Sequence, residues 1–248
     1  MQYWGALEQA KRRLLFTLQT LGLPPQNGWC DPTGGLLFDF LDDERSKPEH
    51  YAGNFVTSGF GNGVITLNVL EADDAARAAM QSEMLEPYRT LLGHFRHESG
   101  HYYWSLMSHD AAISDAFADL FGDPNKDYAG SLERYYETGP PSDWQDGYIS
   151  AYATAHPLED WAETWGHYLH MLDALETAHA HQLLDKDGTT MNMSERIAAW
   201  QQVSVMLNEM NRSVGGSDAY PFTISTGVAR KLELVDDAMG YLQKRQIG

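Results

Sequence analysis

The run His97-Glu98-Ser99-Gly100-His101 lies inside a stretch that reads as one long helix from Pro87 to Met107. On a helix, residues four apart share a face and sit about one turn apart. His97 and His101 can therefore meet one metal ion, with Zn–N bonds of about 2.0–2.1 Å. Glu98 can reach the water that such an ion activates and act on it as general base. The same stretch carries Leu91, Leu92, Phe95, Tyr102 and Tyr103, so the helix is expected to be mostly buried. Two imidazoles and a carboxylate buried without partners would be expensive. A cation supplies the partner, and it has to draw in a ligand from elsewhere in the chain.

That ligand is expected in the segment 155–165, Ala155-His156-Pro157-Leu158-Glu159-Asp160-Trp161 onward, in which Glu159 lies 58 positions after His101. Pro157 marks a helix start. Glu159 falls in the first turn, and Glu163 on the same face one turn later. Two stacked carboxylates in a mostly apolar helix call for a cation or a donor. One can bind the metal while the other holds a ligating imidazole in place. The residues alone leave open which does which.

Composition narrows the function classes. The chain has 248 residues, and 17 Lys and Arg against 35 Asp and Glu give a formal charge of −18. Such a surface repels phosphate backbones and anionic membranes, so neither nucleic acid nor membrane is expected as a partner. The single cysteine, Cys30, allows no internal disulfide and no cysteine-rich zinc module. No basic head followed by an apolar core opens the chain, and no run reaches the ~20 apolar residues of a membrane span. A cytoplasmic location is expected.

Hydrophobic patterning predicts a helix over 4–21, ended by Gly22 and Pro24-Pro25. Strands are predicted at 36–41, 53–58 and 63–70, the last two joined by a turn at Gly59–Gly63. Asp73-Asp74 open a further helix. The connection 109–147 reads as irregular, with Gly122-Asp123-Pro124, Gly139-Pro140-Pro141 and few aliphatics. Helices follow at about 157–180, at 194–211 capped by Ser194, and at about 226–245. The expected class is α+β: a small antiparallel sheet packed on the motif helix, with a mostly helical C-terminal part. One domain is expected over 1–248, with helix and sheet in 1–86, the metal-site helices in 87–180 and C-terminal helices in 181–248.

HFRHESGHYYW and HPLEDWAETWGHYLH, with GLLFDFLDD and GVITLNVLEADDAAR, resemble a zinc-binding metallopeptidase family of the gluzincin type. The likeness covers most of the chain and is densest at 35–170. It implies a zincin-like fold, a Zn²⁺ cofactor held by two His and one Glu, and peptide or protein substrates. The second segment is similar, at a distance, to the corresponding helix of lethal-factor-type metalloproteases. There the first Glu of an E-x-x-x-E pair is the ligand. That match assigns Glu159 to the metal and Glu163 to support. It also aligns Tyr152, seven residues before Glu159, with a catalytic tyrosine. A phenol at that point could donate to the oxyanion that forms at a peptide carbonyl, and Tyr148 is its rival. Members of the family usually carry a cysteine-rich ribbon before this domain, which the lone Cys30 cannot form.

The reaction so implied is hydrolysis of a peptide bond by a metal-activated water, with Glu98 moving the proton. The alternative is a zinc-binding protein that uses the same residues for structure or partner docking. It would need a fourth protein ligand, for instance His94 or Asp119. His94 is otherwise expected to pack or to support the site, His156 to be a loop residue near it, and His167 to be packed or solvated. The sequence assigns no oligomeric state.

Overall fold

In the computed structural model, which describes residues 2–77 and 90–246, the chain opens with helix α1 (Gln2–Thr20). Leu7, Leu14 and Leu18 lie on one face and are fully buried. Gly22, at φ 69°, ends the helix. It lets the Leu23 amide turn back to the Leu18 carbonyl at 2.8 Å, a helix stop that needs the left-handed backbone a glycine adopts without strain.

The sheet holds β1 (Leu37–Leu41), β2 (Gly59–Gly61) and β3 (Val64–Asn68) in the order β1-β3-β2. It is mixed rather than antiparallel. β2 and β3 form a hairpin in which Gly61 faces Val64, while β1 runs parallel to β3 with Leu37 facing Val64. Asn62 and Gly63 carry the hairpin turn at φ 50° and 78°, the double positive φ that matches strand twist. Of the predicted turn Gly59–Gly63, Gly59–Gly61 is strand and only Asn62-Gly63 turns, and 53–58 is not a strand. The chain between β1 and β3 is long enough to return for a parallel pairing. Asp43, buried beyond β1, fixes that return. It accepts bonds from Asn68 Nδ2 at 2.6 Å, Arg45 Nε at 2.9 Å and the Val56 amide at 3.1 Å. Burial pushes its carboxyl up, but Arg45 and the amides outweigh that and hold it well below the usual carboxylate range.

Pro87, expected to start the motif helix, lies outside the described residues, as does the boundary drawn at 86–87. The described helix is α2 (Leu91–Met107), whose N-cap Thr90 accepts from the Gly93 amide at 2.9 Å. α2 packs on α1, β2 and β3, with Phe95 against Phe38 and Phe40 at centroid distances of 6.0 and 5.9 Å. The chain falls into two compact units, Met1–Ser114 with Leu242–Gly248, and Asp115–Tyr241. Everything so far belongs to the first.

The connection 109–147 contains two helices, α3 (Ala111–Phe121) and α4 (Tyr128–Thr138). Their cores are aromatic rather than aliphatic, which is why the pattern reads as irregular. Phe117 and Phe121 stack at 5.0 Å and both meet Trp161. Asp127 caps α4 and Gly139, at φ 71°, closes it. α5 (Pro157–Ala180) runs through the middle of the second unit with Trp161 and Trp165 fully buried, and packs on α6 (Met193–Ser213). The cap of α6 is Asn192 rather than Ser194, because Asn192 and Glu195 form a reciprocal capping box. α7 (Thr226–Gln246) is the last helix. No helix among the described residues is long and apolar enough to cross a membrane.

Lys231 of α7 is tied to the first turn of α5. Its Nζ donates to Asp160 Oδ2 at 2.6 Å and to the Gly147 carbonyl at 2.7 Å, and lies 4.1 Å from the Tyr148 ring centre. Burial raises the Asp160 carboxyl to about 7, with Lys231 pulling the other way. A raised carboxyl favours the protonated form in the folded state, so this group's contribution to stability falls as pH rises through about 7. Without Lys231 the buried carboxylate loses its counter-charge. Lys231→Met is expected to lower unfolding free energy by about 3–5 kcal/mol at pH 8. The loss should be smaller at pH 6, where Asp160 can take a proton instead. Urea unfolding of both proteins at the two pH values checks this.

Candidate metal centre

The motif's four-residue spacing does on α2 what helix geometry requires. The Nε2 atoms of His97 and His101 face each other at 3.2 Å, with ring centroids 5.0 Å apart. Two nitrogens bound to a tetrahedral zinc at about 2.05 Å would stand ~3.3 Å apart, so the pair already has the bite of a metal site. His97 is 8% exposed and Glu98 4%. Burial pushes the Glu98 carboxyl up, but a hydrogen bond from His94 and the nearby His97 and His101 rings bring it below its ordinary value. The carboxyl is thereby held in its ionised form.

α5 carries the acids expected at such a site. His156 is its N-cap: Nδ1 accepts from the Leu158 amide at 3.1 Å and Nε2 lies 3.2 Å from the Lys126 carbonyl. An acceptor at Nδ1 and a carbonyl at Nε2 place the ring proton on Nε2. His156 is thus a buried structural cap rather than a loop residue. Glu159, 1% exposed, sits in the first turn and accepts a 2.7 Å hydrogen bond from Tyr128 Oη. Glu163, one turn on, accepts from Ser150 Oγ at 2.5 Å. Single ligand atoms of His97, His101 and Glu159 all lie within 4.8 Å of one another. Two imidazole nitrogens and one carboxylate oxygen are the donor set that zinc takes. Among the described residues this group includes neither His94 nor Asp119.

The remaining candidates fall into place. Tyr152 lies in a short turn, Tyr152–Thr154, just before α5, with its ring edge-on to Tyr135 at 5.7 Å. Tyr148 lies under Lys231, and burial together with the Asp160 charge raises its phenol. His167 packs with Nδ1 2.8 Å from Tyr220 Oη. His94 stands one turn before the motif, 3.2 Å from Glu98. Tyr128 and Ser150, which touch the two acids of α5, carry no motif. Their only sequence signal is a hydroxyl near a predicted carboxylate helix.

Comparison with known proteins places the chain in a family described as zinc-binding. The family model described as "Putative zinc-binding metallo-peptidase" matches residues 1–238. The chain belongs to this family. Relatives in Mycobacterium bovis and in two strains of Mycobacterium tuberculosis are each 44% identical over 236 residues. Each alignment covers 92% of this chain and 67% of the relative, and their names, all "Uncharacterized protein", assign no activity. No solved structure matches the chain significantly.

Tyr128 orients the carboxylate expected to bind metal, and removing such a partner typically costs 10–100-fold in affinity. Tyr128→Phe is therefore expected to weaken Zn²⁺ binding by about tenfold while leaving the fold intact, as read by competition with a coloured chelator.

Proposed function

We propose that the protein is a zinc-dependent peptidase with a single zincin-like metallopeptidase domain, acting on peptide or protein substrates. The observation that carries this reading is the convergence of His97, His101 and Glu159 in a chain that retains Glu98 beside them. A purely structural zinc site would have no use for Glu98 and would be closed by a fourth protein ligand. The family match supports the same class.

In this proposal His97, His101 and Glu159 hold Zn²⁺, which would lower the pKa of a water from 15.7 toward about 7 and polarise the scissile carbonyl. Glu98 accepts the proton of the attacking water on a carboxylate oxygen and passes it to the departing amine. Tyr152 donates from its hydroxyl to the oxyanion. Glu163 supports the site from the next turn of α5, through its bond with Ser150. The charge of −18 favours neutral or basic peptides over acidic ones. The proposal places the reaction in the cytoplasm, a setting that a lone thiol fits.

The test is Glu98→Gln, which removes the base and keeps the shape. It is expected to bind one zinc ion per chain, measured by elemental analysis. Hydrolysis of a quenched fluorescent peptide library should fall about 10²–10⁴-fold. A variant that holds zinc and cleaves at the native rate would refute the proposal. Wild-type protein with zinc but no turnover on any peptide would favour the docking alternative.

A further inference from the structure

Two buried carboxylates flank the half-buried His94 on the first unit. His94 Nδ1 lies 3.4 Å from Glu71 Oε1, and His94 Nε2 lies 3.2 Å from Glu98 Oε1. Glu71 is 3% exposed and Glu98 4%. Glu71 sits in the short 3-10 turn Val69–Ala72 that follows β3. Its position is fixed from three sides. Asn68 caps the turn by accepting from the Leu70 amide at 2.9 Å, the Glu71 carbonyl accepts from Arg77 Nη1 at 2.8 Å, and the Ser58 hydroxyl lies 3.5 Å from Oε1. The imidazole thus stands between a carboxylate anchored to the sheet, which Nδ1 approaches without hydrogen-bond geometry, and the carboxylate expected to move the proton, which faces Nε2. His94 is also four residues before Glu98 on α2, the spacing at which helix side chains meet.

A general base works only when its carboxylate is held within hydrogen-bond reach of the proton it takes. Glu98 is a three-torsion side chain, and a free rotamer would lose that geometry. We propose that His94 is a positioning residue. With Glu71 behind it, it holds the Glu98 carboxylate in the working rotamer and takes no part in binding the metal. This rests on the peptidase reading above, and it adds a residue that the His-Glu-x-x-His spacing does not contain.

The experiment uses full-length protein as wild type, His94→Ala, His94→Gln and Glu71→Gln, each loaded with Zn²⁺. Zinc stoichiometry is expected to stay at one per chain in all four. For His94→Ala, kcat should fall about 10-fold or more with KM within about twofold, the pattern of an interaction made at the transition state. His94→Gln, which keeps an N–H near the same place, should recover part of kcat, and Glu71→Gln should lose less than His94→Ala. A second readout needs neither metal nor turnover: thermal unfolding of metal-free wild type, His94→Ala, Glu98→Gln and the double variant. Direct contact predicts non-additive midpoints, by about 2–4 °C. Additive midpoints, or a zinc-loaded His94→Ala with native kcat, overturn the assignment. So does loss of zinc from His94→Gln, which would make His94 a ligand. A wild type that binds no zinc defeats the peptidase reading, while the metal-free cycle still decides whether His94 holds Glu98.

Discussion

The 3.2 Å approach of two imidazole nitrogens on α2 is the constraint around which the site is arranged. Two rings come that close when one donates its ring N–H to the other, or when a cation lies between their lone pairs. A bound cation would use both nitrogens at the same spacing. Helix spacing alone sets the pair up, but it cannot keep α2 in place. α1 on one side and the Phe38 and Phe40 rings against Phe95 on the other bury the helix. That leaves the His97–Glu98–His101 edge as its polar part.

Each acid near the site is given a different partner, and the partner sets its chemistry. Glu159 takes a phenol and joins the ligand group. Glu163 takes the Ser150 hydroxyl. Asp160 takes Lys231 and is still raised to about 7 by burial. Glu98 takes His94 and is lowered. Asp160 and Glu98, of similar intrinsic acidity, are thereby pushed in opposite directions.

What the sequence made legible follows the range of the forces involved. The motif helix, α5 from Pro157 and the ends of α7 are set by local pattern and were readable as such. The His97–His101 bite is a consequence of helix pitch, so spacing predicts it. The failures share a cause. α3 and α4 hide because their cores are Phe117, Phe121 and Tyr135 rather than spaced aliphatics. The sheet reads as antiparallel because the turn signal at Gly59–Gly63 is local, while the parallel pairing of β1 with β3 is decided by the path of the chain between them. Tyr128 is 31 residues from Glu159, and Lys231 is 71 from Asp160. Nothing in either neighbourhood announces the partner. His156 reads as a loop residue because histidine is an uncommon cap, although Nδ1 accepts an amide N–H as well as an oxygen would.

The first turn of α5 shows why a carboxylate expected to bind metal suits its place. A helix N-terminus carries about half a positive charge, which favours ionised acids there. Glu159 and Asp160 both occupy that turn and are both almost fully buried. Two adjacent ionised acids would repel each other in a poorly screened place. Lys231 meets the Asp160 side and leaves the dipole and Tyr128 to Glu159. A carboxylate that is already oriented would bind a cation without first losing a rotamer. The buried lysine on α7, remote in sequence from every motif, thus meets the charge of the residue next to the carboxylate expected to bind metal.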